Sequence, residues 1–376
     1  MKKSLIIAAF AIFAMASCSK DQILDEQKNE IGFSVVSENS TKASNVYCYA
    51  NPIGSFNVYA EYTEDGTSYT KYINGMGVTG SEGNWVPAST YYWPDLGTNS
   101  DAVKMRFYSV AGVASPALTS YTEGQKPTID YTVNSSVALQ EDLLYAVAVC
   151  EERPGTDKVA LNFRHALSQI DFMAKNTNGT YTVQIHALQV VNVNSKGTFT
   201  LPNESTSTKW DEHNGSVDDP ENDDVTGLTM GVWTSQNTLA PYKVSFAAPI
   251  NVNNSTPVHL TTASDKEFTT NSMLLVPQTT EAWDGTKGSY FALKCTIKSS
   301  GVTLHDGWAV LPIAVDWKPG RRYIYTFDFA DGNGGIGGGN DPDNPVPGDK
   351  PVLIKIDYTV SVDDFDDVTS SPEMNF

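Results

Sequence analysis

Residues 354–362 read IKIDYTVSV, and the stretch before them, residues 331–350, reads DGNGGIGGGNDPDNPVPGDK. In the first, Ile354, Ile356, Tyr358, Val360 and Val362 fall on one side and Lys355, Asp357, Thr359 and Ser361 on the other. Alternation of period two over this length marks a half-buried β-strand. The glycine- and proline-rich run has little apolar surface to pack, so it is expected to be a flexible linker. A sticky strand on a leash has two destinations: an open edge in its own domain, or one in a neighbouring molecule.

The same alternation recurs along the chain. Phe56, Val58, Ala60 and Tyr62 share a face, and Asp65-Gly66 after them is a hairpin signal. Met105 and Phe107 begin another strand; Val159, Leu161 and Phe163 share a face, as do Ile170, Phe172 and Ala174. Later come Val183 and Ile185, Met273 to Val276, Phe291 to Ile297, and Tyr323, Tyr325, Phe327 and Phe329. No stretch sustains a helical period; Arg164–Gln169 is one turn at most. Short strands punctuated by turn residues give an all-β chain of β-sandwich type rather than βαβ units. The polar turn at 176–180 is expected to separate two strand-rich halves. The expected layout is 31–178 and 179–330 as the two sandwiches, 331–350 as linker and 351–376 as the C-terminal strand segment, with a long surface loop over 203–224.

The N-terminus reads as an export signal over residues 1–17. Lys2 and Lys3 precede an apolar run from Leu5 to Ala16 that is too short for a bilayer span, which takes about 20 residues. Met15-Ala16-Ser17-Cys18 looks like a bacterial lipobox, in which Cys18 takes the lipid (palmitate) and becomes the new N-terminus, followed by a tether over 18–30. Surface export through the outer membrane follows from the partly matched charged tag at Ser19-Lys20-Asp21. Beyond Cys18 the chain keeps Cys48, Cys150 and Cys295, which allow one bridge at most, so stability must come from apolar cores. Cys150, in the run DLLYAVAVC, reads as a core residue.

A net charge of −19 leaves no basic patch for phosphates and excludes nucleic acid as a partner. The acidic runs at 217–224 and 363–367 read as solvated loop ends, and neither fits an EF-hand calcium loop. No metal and no cofactor is expected. No nucleophile elbow, P-loop, H-E-x-x-H or C-x-x-C occurs. His165, His186, His213, His259 and His305 lack metal-ligand spacing and read as surface or locally satisfied side chains. Glu141-Asp142 is an adjacent pair of acids, whereas glycoside hydrolysis needs two facing carboxyls about 5–10 Å apart. Tyr91-Tyr92-Trp93, Trp85, Trp210, Trp233 and Trp283 read as core aromatics before sugar platforms. Nothing here points to an enzyme.

Together these segments resemble the fimbrillin-like proteins, the type V pilins and Mfa-like relatives. The match rests on IGFSVVSENSTKA (31–43), YWP (92–94), DLLYA (142–146), LNFRHALSQIDF (161–172), MLLVPQ (273–278), WKPGRRYIY (317–325) and IKIDYTVSVDDF (354–365), in that order. The resemblance implies two transthyretin-like β-sandwich domains and export as a lipidated precursor. It also implies polymerisation by strand donation: a protease removes the first strand and a neighbour's C-terminal strand fills the groove. Lys42-Ala43 is the matching cleavage position, where the family often has arginine instead of lysine.

The residues fit such a mechanism. Ile31, Phe33 and Val35, the displaced strand, alternate as the donor residues Ile354, Ile356, Tyr358, Val360 and Val362 do, so both segments suit one apolar groove. The linker, about 20 residues in its flexible regime, has a root-mean-square reach of roughly 25 Å. The expected function is a cell-surface fimbrial subunit or adhesin. Its partners are other fimbrial subunits, the outer membrane through the lipid, and a host or bacterial surface ligand. The alternative is a surface lipoprotein that binds glycans for polysaccharide uptake, using Trp93 or Trp283.

Overall fold

The structure is a computed structural model that describes residues 30–36, 53–81, 83–94, 103–152, 158–203, 205, 231–261, 272–329, 336–338, 347–351 and 356–364. Among these residues the regular elements are β-strands, apart from one 3₁₀ turn at Val137–Leu139, so the all-β expectation holds. No helix among them is long and apolar enough to cross a membrane. The first strands are β1 (Phe33–Val36), β2 (Ser55–Thr63), β3 (Thr70–Ser81), β4 (Asn84–Pro87), β5 (Lys104–Ala111), β6 (Thr128–Thr132), β7 (Leu144–Cys150), β8 (Val159–Asn162) and β9 (Arg164–His165). Next come β10 (Ser168–Lys175), β11 (Tyr181–Asn194), β12 (Lys196–Thr200), β13 (Val232–Ser235), β14 (Leu239–Val252), β15 (Val258–His259), β16 (Met273–Leu275) and β17 (Thr279–Thr280). The last are β18 (Ser289–Ser299), β19 (Val302–Ile313), β20 (Val315–Asp316), β21 (Arg321–Asp328), β22 (Ile336–Gly338), β23 (Pro347–Pro351) and β24 (Asp357–Asp364).

The Asp65-Gly66 signal makes the turn it promises between β2 and β3. Asp65 Oδ1 accepts the backbone N–H groups of Thr67 and Ser68, both at 2.7 Å, and Gly66 sits at φ +74°. Those N–H groups, that of Ser68 first, hold the Asp65 carboxyl well below the usual carboxylate range.

A six-stranded antiparallel sheet, ordered β4-β3-β2-β5-β7-β9, organises the first core. One face, with Phe56, Val58, Phe107 and Ala146, packs under β1 and β8 through Phe33 and Leu161. The opposite face, with Tyr59, Tyr108, Tyr145 and Val147, packs under a three-stranded sheet β13-β12-β6 through Phe199 and Ile129. Covered on both sides, β2, β5 and β7 bury consecutive residues, which is why DLLYAVAVC runs apolar without alternating.

The second core lies between two further sheets. One is ordered β14-β11-β18-β19-β22-β23; the other is β15-β10-β21-β24, with β16 also on β10. Phe172, on β10, anchors the contact: its ring lies 5.2 Å from Phe291, 5.8 Å from Tyr325 and 5.9 Å from Phe327. On the opposite face of β10, Asp171 is buried with a full set of donors. Arg322 Nε donates to it at 2.8 Å, Ser272 Oγ at 2.6 Å, Thr261 Oγ1 at 3.0 Å and Gln169 Nε2 at 2.9 Å.

Two ladders cross the turn at 176–180. β10 runs parallel to β21, with Phe172 opposite Tyr325, and β6 pairs antiparallel with β12, with Ile129 opposite Phe199. The strands on either side of that turn are therefore not partitioned between separate sheets: Val133 and Val137 share a core cluster with Phe172, and Phe199, Leu201 and Leu274 share one with Tyr59. Most of the 203–224 loop lies outside the described residues. Ser205 itself is buried: its N–H donates to Val147 O and its Oγ to Asn162 O.

The free edge of the larger second-core sheet is β14. It carries Pro241 and Pro249, and its register with β11 shifts between Ile185 and Ala187 and again between Val190 and Val193.

Cys150 and Cys295 are free, and burial pushes their thiols up to about 11 and about 12. A raised pKa keeps each thiol protonated, so alkylation of the folded protein at pH 8 is expected to be slow and to become rapid on unfolding. Rapid native labelling of both would contradict this burial. Phe291→Ala removes the ring shared by Phe172, Tyr325 and Phe327; it is expected to lower stability by about 3–5 kcal/mol, read as a lower denaturant midpoint at unchanged slope.

Candidate strand-exchange sites

The first strand is held at two places. Ile31 N–H donates to Tyr91 O at 2.8 Å and Glu30 bridges Tyr92, so the backbone of the Tyr91-Tyr92-Trp93 segment clasps its start. Farther on, Val159 N–H donates to Gly32 O at 2.9 Å, and Phe33, Ser34, Val35 and Val36 run parallel to Val159, Ala160, Leu161 and Asn162. Ile31 and Phe33 are buried, Phe33 at 0% exposure, and Val35 packs partly against the same core. The Phe33 ring meets Phe56 edge-on at 6.4 Å and Phe107 at 6.0 Å.

Nothing else in the described residues pairs with β8, so β1 supplies its whole ladder. Loss of β1 uncovers Phe56 and Phe107 and removes the ladder partners of the β8 backbone groups that face it. Trp85 packs on Phe56 at 5.0 Å and Trp93 on Phe107 at 6.3 Å, which places both indoles around this site as core residues.

The C-terminal strand docks in its own molecule. β24 lies antiparallel on β21 from Asp357 opposite Asp328 to Asp364 opposite Arg321. Ile356 is buried, while Tyr358 and Val362 pack partly against the second core, Tyr358 at 5.9 Å from Phe291 and 6.1 Å from Tyr325. Val360 shares their face but remains 48% exposed, because an edge strand is covered only where the opposite sheet reaches it. At the far end the register sets Arg321 opposite Asp364 and Arg322 opposite Asp363.

Within the expected linker over 331–350 the structure describes two short strands. Ile336–Gly338 forms β22 on the edge of β19, with Gly337 opposite Ala309 and Ile336 opposite Val310, and Pro347–Pro351 forms β23 on β22. The open edge of β19 offers N–H and C=O groups that even a glycine-rich segment satisfies, since the ladder needs backbone and no side chain. Cys18, Lys42, Ala43 and Ile354 lie outside the described residues.

The other candidate groups are structural. His165 Nδ1 meets Asp142 at 2.9 Å, both buried, so Asp142 is spoken for and does not face Glu141, which is exposed. His186 Nε2 meets Thr296 Oγ1 at 3.0 Å. His213 and Trp210 lie outside the described residues, and Trp85, Trp93, Trp308 and Trp317 are buried. Trp233 Nε1 donates to Ala166 O at 2.6 Å, and Trp283 packs on Tyr290 at 5.6 Å. These aromatics fill cores or brace turns and form no flat platform.

Sequence reasoning missed the clasp at Tyr91–Tyr92 and the parallel partner β8, because backbone-only pairing leaves no side-chain signal. The partner of β24 was within reach: Tyr323, Tyr325 and Phe327 carry the same alternation and the register of eight residues that matches it.

A family model described as fimbrillin-like matches residues 41–340. No curated protein matches the chain. Among solved structures, a candidate cell adhesion protein of Bacteroides uniformis is similar at 14% identity and a TM-score of 0.44, over 90% of this chain and 99% of that one. Another candidate cell adhesion protein, from Parabacteroides distasonis, gives 13% identity and a TM-score of 0.44 over 91% of this chain and 99% of that one. The tip fimbrial protein Mfa3 of Porphyromonas gingivalis, with a C-terminal truncation, gives 8% identity and a TM-score of 0.37 over 88% and 99%.

Deleting residues 357–376 is expected to speed hydrogen exchange at the β21 amides that face β24, while those facing β10 stay protected. Unchanged protection at every β21 amide would mean that the tail is not docked in solution.

Proposed function

The chain belongs to the fimbrillin-like family, and on that premise we propose that it is a cell-surface fimbrial subunit or adhesin that joins its neighbours by exchanging strands. It is a structural and adhesive protein, without catalysis. Cys18 carries the lipid that holds the precursor at the outer membrane after residues 1–17 are removed. A protease hydrolyses the Lys42–Ala43 bond, the segment bearing Ile31, Phe33 and Val35 leaves, and the C-terminal strand of a neighbour enters the vacated site. The residues of that strand are Ile354, Ile356, Tyr358, Val360 and Val362. The two apolar cores correspond to the two sandwich domains.

The observation that carries this reading is the arrangement of the two chain ends. Each lies as an alternating strand over an apolar core, and each supplies the edge ladder of a strand, β8 or β21, that is otherwise open on that side. Taking away β1 exposes backbone donors and acceptors beside apolar rings, and strand addition satisfies both at once. The tail can leave its own edge only if β24 gives up β21, and the hairpin of β22 and β23 extends its reach as it unzips from β19.

Purified precursor cleaved after Lys42 is expected to convert from monomers to heat-resistant ladders on denaturing gels, and deletion of 351–376 to abolish them. Monomers throughout, even in an assembling host, would overturn the shaft-subunit form of this function. The glycan-uptake alternative predicts instead a saturable sugar affinity that Trp283→Ala abolishes, with no polymer.

A further inference from the structure

Strand exchange puts a subunit under tension between two points. A neighbour's strand in the place of β1 pulls on β8, and the donated tail pulls on the end of β21. From β8 the covalent route into the second core is short, through β9 and Ala166-Leu167 to Ser168 at the start of β10. Phe329 follows the last residue of β21, and its N–H donates to Lys175 O at the end of β10. The two strands run parallel, from Gln169 opposite Arg322 to Lys175 opposite Asp328. Ser168 and Phe329 are therefore roughly 20 Å apart along the strands and only about 5 Å apart across them. Once β24 has gone to a neighbour, β10 is the remaining strand beside β21 among the described residues.

A pull along that line slides β21 lengthwise past β10. Sliding loads all seven rungs of the ladder together, whereas a pull across the strands parts them one by one from an end. The pleat adds a second obstacle, because a slip of one residue turns every side chain of a strand to the other face. Such a slip carries Arg322 toward the core of Phe172 and Phe291, and Tyr323, Tyr325 and Phe327 out of it. Arg322 Nε donates to Asp171 Oδ2 at 2.8 Å with both residues buried, so the slip separates two buried charges. The Phe172 ring stacks on Tyr325 and Phe327 across the same ladder, and Lys175 Nζ reaches Asp328 Oδ2 at 3.3 Å at its loaded end.

We propose, resting on the strand-exchange reading above, that the β10–β21 ladder is the tensile clamp of the fibre and that the Asp171–Arg322 pair holds its register. The clamp passes load from the strand a subunit receives to the strand it gives. It does not use β24, so it serves after donation, when tension begins. A buried ion pair adds little net stability over an apolar pair of similar size, and fixing register is the best-attested use of one.

The test pulls single full-length chains in an atomic force microscope. One click-chemistry handle sits at position 160, exposed on β8, and the other at either Phe376 or position 318. From Phe376 the tail peels away first and the ladder is then loaded lengthwise. Lys318 lies beside Ser168, whose Oγ donates to its carbonyl at 2.7 Å, so from there the same ladder opens at one end. Lengthwise rupture is expected at severalfold higher force than opening, and equal forces overturn the clamp. Asp171→Asn combined with Arg322→Met removes both charges, and the new amide can donate to Gln169 Oε1, which has no partner among the described residues. This double variant is expected to melt close to the wild-type temperature and to lose much of the lengthwise force, with the opening force unchanged. An unchanged lengthwise force overturns the role of the pair. Should the double variant fail to fold, the two pulling directions on the wild-type ladder still decide the clamp. Ladders that never form after cleavage at Lys42 overturn the exchange reading itself, a result separate from either force.

Discussion

β21 needs a strand on each side, and the second core depends on that pairing. Its Tyr323, Tyr325 and Phe327 supply the aromatic wall of the core, and its backbone is satisfied by β10 on one flank and β24 on the other. Arg322, on the opposite face, ties it to Asp171 within β10, where a lone buried charge would be costly. The flank filled by β24 is an edge of this sheet among the described residues. A segment joined to the core at one end can leave without unfolding what remains, whereas β10, tied at both ends and packed on four elements, cannot.

The first core obeys the same constraint with a different cover. β1 and β8 form a two-stranded layer over a six-stranded sheet, so half of that layer is β1. Exchange between such sites conserves the number of strand pairs. In the proposed exchange its direction would follow from differences in side-chain fit rather than from the total burial.

Period-two alternation made the start of β11, β21 and the tail legible, because each of these stretches has one covered face and one wetter face. β2, β5 and β7 were harder: sandwiched between two layers, they bury both parities, and Tyr59, Glu61 and Ser109 sit inside beside Val58 and Phe107. The pairing of β10 with β21 across the polar turn at 176–180 left no local trace, since register is fixed by contacts far apart in sequence. Composition misled most at 331–350, where glycine reads as linker but Ile336–Gly338 pairs as a strand on β19. His165, which the sequence left as either a surface or a locally satisfied side chain, is buried and held by Asp142. Cys18, Lys42 and Ala43 stay readings of the sequence.

β14 gives these edges their meaning. Its two prolines lack N–H groups and its bulges break the ladder rhythm, so among the described residues this border is a poor template for a partner strand. Under the proposed exchange, β-pairing between copies uses instead the borders that β1 and β24 cover. Under the proposed exchange such a unit has a valence of two: one site that receives and one strand that gives. Objects of valence two form lines, neither branching nor layering, and a line is the geometry of a fibre.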